Sequence, residues 1–489
     1  MKRKLTIKIG EIARLTLFGG AASLLFSIGT AHGQEVKTTK TGKEAIPVVT
    51  TSSKKPKWLT DLSLGIKEGY DSNLWGAGTE LPYSATVKAL ETPSSWVTTV
   101  SPKIGIDFLP FLGDQKLFQT LALGYAADYS IYTNAPEETN NANRFSTTIK
   151  GKVDAFKFSI DNLFTYVDGS KIAPTYPGGY RSAYATAIPR ERRNQDQDRS
   201  KVFVQYDNGK FFVRPIASLL YYNLNTIREN PNLGTTPNGY QNYSNRSDVN
   251  GGVDVGYKVL PDVAATLGYR YGSQYQQQFS WAGTGGNSNP NGIPYSSPST
   301  YHRLLLGSEG KVEKWLTFQF QLGPDFRSYE ENSSTHISPV NHLNPMVFYG
   351  DANVAADITR VDKLTFLFKD WRWVSSTGLV PYQDSSYNLT YTRQLSHQLS
   401  ASLQTIAADS NYNCAQGTNG ERNDWMFTVS PVFKYTFNSH FTATLSYSAN
   451  WGVNGFDGAL PKTAGGLHVA SASREFFENV ISLGGQVTF

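Results

Sequence analysis

Beyond residue 33 the groups able to do nucleophilic, metal or proton-transfer chemistry are His302, His336, His342, His397, His440, His468 and one cysteine, Cys414. None stands in a pattern that such chemistry requires. The sequence has no H-E-x-x-H, no G-x-S-x-G, no Walker A loop and no G-x-G-x-x-G after a strand. His336 and His342 share one loop, but a spacing of six does not aim two imidazoles at one ion. His302 with Asp351 is the nearest approach to a catalytic pair, and nothing in their spacing compels it. Cys414 has no neighbouring base to make a thiolate, and standing alone it excludes a disulfide framework and a cysteine zinc cluster. The expectation is therefore no enzyme, no metal and no cofactor. Charge is concentrated elsewhere, in Arg190, Glu191, Arg192, Arg193, Asp196 and Asp198. Guanidinium groups facing carboxylates set up a local field that orients ions and polar solutes.

The elements that would position these groups follow a leader. Residues 1–33 have a basic start, an apolar run from Leu15 to Ile28, and small residues at Ala31 and Gly33, the layout of a cleaved secretory signal. Lys2, Arg3, Lys4, Lys8 and Arg14, against Glu11, carry most of the net charge of +5. Without them 40 basic residues meet 39 acidic ones, so no basic surface for nucleic acid is expected. Residues 34–57 hold six Lys, two Glu and no aromatic residue, and read as a flexible tail. They are too few to fold into a plug for a larger barrel.

From Trp58 to Phe489 side chains alternate with a period of two. Leu62, Leu64 and Ile66 alternate with Ser63, Gly65 and Lys67. Leu316, Phe318, Phe320 and Leu322 alternate with Thr317, Gln319 and Gln321. Many runs reach the roughly 9–11 residues that a tilted strand needs to cross a bilayer. Links that are short (near 110–115, 155, 208–209, 260–261, 313, 359–360, 396–397 and 437–439) alternate with long ones (72–95, 133–143, 169–198, 227–245, 277–299, 329–343, 377–385, 409–421 and 452–473). This predicts 18 antiparallel strands closed into a transmembrane up-and-down barrel over residues 58–489, with 16 as the alternative count. Asn208-Gly209 is expected to form a type I′ turn. Seven tryptophans, Trp58, Trp96, Trp315, Trp371, Trp373, Trp425 and Trp451, fall near strand ends, where interfacial girdles belong. The inward phase is expected to hold Lys67, Lys103, Lys150, Lys152, Lys157, Arg270, Arg327, Lys363, Lys369 and Lys434. Against them stand Asp107, Asp128, Asp154, Asp161, Asp254, Asp325, Asp351 and Asp357.

The chain ends in a strand whose Ile481, Leu483, Val487 and terminal Phe489 resemble the assembly signal of Gram-negative outer-membrane β-barrel proteins. Gly485 departs from that pattern. Gly69-Tyr70-Asp71-Ser72-Asn73 is similar to a phrase recurrent in the β-barrel porin type 2 family. The resemblance implies a cell outer-membrane location and recognition by the barrel-assembly machinery. A barrel of this size is expected to pass small polar solutes passively and, its inward charges being nearly balanced, with weak ion selectivity. The alternatives are polysaccharide export, with Tyr222, Trp371 and Trp373 stacking on sugar rings, and a surface-binding barrel. The layout also resembles general porins, whose third outer loop narrows the pore. That makes loop 169–198, with Arg190, Glu191, Arg192, Arg193, Asp196 and Asp198, the candidate constriction. Expected partners are outer-membrane lipid, small polar solutes or saccharides, and further copies of the chain in a homo-oligomer.

Overall fold

Alternating apolar and polar residues leave each strand with one face for hydrocarbon and one for water, and only closure satisfies every backbone group between them. The computed structural model describes residues 56–74, 94–113, 116–170, 192–227, 245–276, 298–330, 345–374, 381–411, 421–457 and 476–489. The leader, nearly all of the tail, Arg190, Glu191, His336, His342, Cys414 and His468 lie outside the described residues. The first strands are β1 (Leu59–Asp71), β2 (Ser95–Asp107), β3 (Phe118–Tyr132), β4 (Asn140–Val153), β5 (Phe156–Ser170) and β6 (Arg192–Asp207). The middle third holds β7 (Phe211–Ile227), β8 (Arg246–Leu260), β9 (Val263–Gln276), β10 (Ser299–Val312), β11 (Leu316–Tyr329) and β12 (Met346–Asp357). The last are β13 (Asp362–Trp373), β14 (Tyr382–Gln394), β15 (Leu399–Asn411), β16 (Glu421–Thr436), β17 (Phe441–Asp457) and β18 (Phe476–Thr488). Each pairs antiparallel with its sequence neighbours, and β1 closes on β18 from Ser63↔Thr488 to Asp71↔Val480. The expected 18-strand barrel, with links alternating short and long, is the observed fold.

The outward face carries Leu306 and Leu483, each 63% exposed, with Leu64, Ile66, Leu267 and Leu304. Aromatic contacts rim it, among them Tyr70 on Trp96 and Phe427 on Trp451. Ile481, Leu483, Val487 and Phe489 are all exposed on or just beyond the outward side of β18. The Phe441 ring passes over Gly485, 3.4 Å from where a Cβ would stand.

Several details differ from the sequence reading. Strands run further than their apolar parts: β6 begins at Arg192 and β4 at Asn140, because polar upper ends keep pairing above the hydrocarbon. The turn at Asn208-Gly209 is not type I′. Three residues separate β6 from β7, and of Asn208 and Gly209 only Gly209 has positive φ (98°). Asp207 Oδ1 accepts from the Gly209 N–H, and Asn208 Oδ1 from the Phe211 N–H. Asp154 lies in the β4–β5 turn at φ 50°, outside the lumen wall. Trp371 and Trp373 are not girdle residues, because the upper end of β13 turns inward.

Close packing against backbone makes several glycines sensitive, Gly252 most of all among the described residues. A Cβ on Gly252 of β8 would stand 1.8 Å from the Tyr269 carbonyl oxygen of β9, which is backbone and cannot rotate away. Gly252→Ala is expected to cost about 1–3 kcal/mol, read as a lower urea midpoint for unfolding from lipid vesicles. A midpoint equal to the parent's would show that β8 and β9 can separate without penalty.

Candidate functional site: the inner wall and an inward-turned strand end

Period-two alternation that turns Val213, Pro215, Leu304 and Phe326 outward turns Arg214, Arg303, Asp325 and Arg327 inward. A buried arginine has to bring its own acceptors with it. On the lower wall Arg214 donates to Asp254 at 3.0 and 3.1 Å, and bidentately to Glu309 at 2.8 Å on both nitrogens. Glu309 belongs to β10, three strands from β7, so this pair bridges the curve of the wall. Arg270 holds the other oxygen of Asp254 at 2.7 Å. Higher up, Arg303 donates to Asp325 at 2.7 and 3.2 Å, and Arg327 to both its oxygens at 3.0 and 3.1 Å. Asp248 accepts from Gln274 at 2.7 Å and from the Tyr301 hydroxyl at 2.9 Å. Tyr301 lies under Arg303 and Arg327, and Arg303 also covers Tyr349, 3.7 Å from the ring centre.

This shelf receives the upper end of β13. Pairing of β12 with β13 stops at Gly350↔Asp370, whereas β13 follows β14 up to Trp373↔Tyr382. Where β13 leaves its neighbour, the Gln383 amide donates to the Phe348 carbonyl at 2.8 Å in place of a ladder bond. The departing segment reaches along the inner wall to β8, β9 and β11, five, four and two strands away. Arg246 of β8 donates to the Val374 carbonyl at 2.9 Å. Gln274 of β9 and Arg327 of β11 donate to the Arg372 carbonyl at 2.9 and 3.3 Å. Trp371 and Trp373 stack 4.4 Å apart, and Arg246 sits 5.1 Å over Trp373 and 5.0 Å over Tyr222. Trp373 and Val374 are fully buried in a cluster with Tyr222 and Tyr382, so backbone at the end of β13 is held by side chains of strands it does not pair with. Lys369 lies 3.7 Å over the free side of this stack, on Trp371.

The remaining wall is lined by smaller groups. Asn450 joins Thr428 to Glu478, Ser446 meets Ser482, and Arg144 pairs with Asp128 at 2.8 Å. Cross-strand register places Lys67, Lys103, Lys150, Lys152, Lys157, Arg270, Arg327, Lys363, Lys369 and Lys434 inward as expected. Asp107, Asp128, Asp161, Asp254, Asp325, Asp351 and Asp357 also face inward. The sequence reading missed Arg144, Arg199, Lys201, Arg214, Arg246, Asp248, Arg303, Glu309 and Asp384, although the same alternation carries them.

The expected constriction residues fall differently. Arg192 and Arg193 begin β6. Asp198 pairs across the ladder with Phe164 and Tyr221, and Tyr221 is exposed to lipid, so Asp196 and Asp198 point away from the lumen. The one-residue offset from inward Arg199, which donates to the Tyr222 hydroxyl at 3.1 Å, decides this. His302 and Asp351 face opposite sides of the wall: His302 pairs with outward Phe326 and Tyr271, Asp351 with inward Lys369. They cannot act on one substrate. Among the described residues no group of His, Cys, Asp and Glu is arranged to hold a metal ion.

A closed sheet, apolar outside and ion-paired inside, defines the class: an antiparallel β-barrel of the outer-membrane type. No known family model matches the chain, and no curated protein does. Solved structures of that class are similar to it. The siderophore receptor PirA from Acinetobacter baumannii is 9% identical with a TM-score of 0.42, over 88% of this chain and 81% of that one. The ferric citrate transporter FecA, unliganded, is 10% identical at TM-score 0.38, over 88% and 79%. The outer membrane protein opdK from Pseudomonas aeruginosa is 10% identical at TM-score 0.37, over 88% and 99%.

Proposed function

We propose that the chain is a porin-like outer-membrane channel for passive diffusion of small polar solutes, narrowed by the inward-turned end of β13. The observation that carries this reading is the inner wall, where acids and bases neutralise one another while the outward positions are mostly apolar. Buried acids are matched by arginines at Asp254 and Asp325, and more open ones by lysines at Asp61, Asp207 and Asp357. Such a wall solvates a polar solute without selecting one sign of charge strongly. Lys67, Lys152 and Lys434 stand exposed inside, which tilts the balance slightly toward anions. The rings once expected to stack on saccharides favour the porin reading, because Tyr222 and Trp373 are sealed inside the cluster and present no face to a sugar. The leader of residues 1–33 and the terminal Ile481, Leu483, Val487 and Phe489 fit delivery to the assembly machinery.

Purified protein in a planar bilayer is expected to give stepwise open conductance. In a tenfold salt gradient the reversal potential should stay within about 15 mV of zero, on the anion side. A closed barrel, or a current blocked by oligosaccharide at millimolar concentration, would favour export or surface binding instead.

A further inference from the structure

The seam between β12 and β13 is built unlike the others. At every other upper seam among the described residues, one of the two strands ends within one residue of the last pair. Here both strands continue without each other. Above Gly350↔Asp370, β12 follows β11 to Phe326↔Met346 and β13 follows β14 to Trp373↔Tyr382. Where the end of β13 turns inward, β12 and β14 face each other across about 10 Å, twice the usual strand spacing. One side chain crosses that breadth on the lipid side. Gln383 donates to the Phe348 carbonyl at 2.8 Å and to Asp370 Oδ1 at 2.5 Å. Ser385 donates to the same Asp370 oxygen at 3.1 Å, so the lower edge of the gap is polar.

A tilted strand climbs about 2.5 Å of membrane per residue. Asp370 stands eight residues above Asp362, hence about 20 Å up, in the upper part of an apolar band about 25 Å tall. The gap therefore begins in the outer leaflet and rises toward the head groups. Backbone that leaves its ladder at this depth has to be enclosed by protein or to meet the wet lumen. On the β13 side it meets lumen groups, since Arg246, Gln274 and Arg327 take the carbonyls of Val374 and Arg372. The two mouths of the gap differ. Phe348, 48% exposed, and Met346 stand on the lipid side, whereas Tyr349 and Trp371 face inward. Lys369 lies on the Trp371 ring and enters no ion pair among the described residues.

We propose that this gap is a side door, through which a single-chain anionic amphiphile passes between the lumen and the outer leaflet. The space that a strand vacates is about 5 Å across, enough for one extended acyl chain and too narrow for the body of a two-chain lipid. The chain lies between Phe348 and Gln383 while Lys369 takes the head group in a charge-assisted contact. Gln383 bars the door and swings aside as the chain enters. This passage is independent of which polar solutes use the axis.

The probe is dodecanoate carrying a diazirine near its carboxylate, photolysed with the full chain in lipid nanodiscs. Mass spectrometry is expected to place adducts on lumen-facing Tyr349 and Trp371, and unlabelled dodecanoate should compete them away. A probe with the same chain and a quaternary ammonium head should label these residues at least about tenfold less. Lys369→Gln should lower labelling by dodecanoate to a similar degree, Gln383→Ala should raise it, and Lys434→Gln should leave it unchanged. A second measurement shuts the door without touching Lys369. With Cys414→Ser as background, Phe348→Cys and Gln383→Cys are joined by a short thiol-reactive linker. Labelling inside should then vanish while circular dichroism stays β-rich. None of these readouts needs ion conductance, so a failure of the porin reading would not imitate a failure here. Adducts spread evenly round the lipid belt, labelling indifferent to Lys369→Gln, an equal loss in Lys434→Gln, or labelling that survives the linker would each overturn the proposal.

Discussion

Trp373→Ala is expected to raise single-channel conductance about two-fold and to leave the barrel closed. The indole is fully buried, stacked on Trp371 and covered by the Arg246 guanidinium. Truncating a buried tryptophan costs about 3–5 kcal/mol. That cost falls on the docking of the strand end and not on the sheet, because above Asp370 the strand is paired on its β14 side alone. The contacts that remain, Arg246 to the Val374 carbonyl and Gln274 with Arg327 to the Arg372 carbonyl, are hydrogen bonds of about 1.5–3 kcal/mol for each arginine and about 0.5–1.5 kcal/mol for the glutamine. They compete with water once the apolar seal is gone. The end of β13 then spends part of its time near the wall from which it departed, and the lumen widens. Open-channel noise should rise with the mean current, since an undocked segment flickers between positions. Trp96→Ala, which removes a ring of similar size from the lipid face, is the control and should leave conductance unchanged. Equal conductance in parent and Trp373→Ala would mean that the narrowing lies elsewhere.

What the sequence disclosed and what it hid follow from the same period. Alternation is a local property, so strand count, link order and the inward charges from Lys67 to Lys434 could be read from neighbours two residues apart. The departure of β13 from β12 is not local. It depends on Arg246, Gln274 and Arg327, which are 128, 98 and 45 residues from their carbonyl acceptors on the β13 end, and these acceptors are backbone atoms that no side-chain pattern marks. A tryptophan pair near a strand end looks the same whether it lies in an interfacial girdle or folds into the lumen. Asp196 and Asp198 failed for a different reason. Charge near a long link suggests a loop, but the link ends at residue 191 and the strand's phase, fixed by Val202 and Val204 lower down, carries both carboxylates outward. Strand phase outranks composition, because a shift of one residue would turn the apolar side chains of the whole strand into the lumen.

Loss of Asp325 should both weaken the barrel and loosen the channel. Asp325 is fully buried and accepts from Arg303 and from Arg327, so Asp325→Ala leaves two guanidinium groups without a counter-charge. Removing one partner from a buried pair costs about 3–5 kcal/mol, most of it from the charge left behind. The urea midpoint for unfolding from lipid vesicles should fall accordingly. Lys363→Ala, which breaks the exposed Lys363–Asp357 pair, should cost less than about 1 kcal/mol. The double variant Arg303→Ala/Asp325→Ala should recover part of the loss, because one stranded charge goes with its acceptor, and a double-mutant cycle would measure that coupling. Arg327 connects stability to passage. It reaches both Asp325 and the Arg372 carbonyl, and without the carboxylate its side chain is no longer held in the orientation that meets that carbonyl. Conductance in Asp325→Ala should therefore rise, but by less than in Trp373→Ala, since the aromatic seal and the Arg246 bond persist. A destabilised barrel with unchanged conductance would separate the two roles and show that Arg327 holds the strand end unaided.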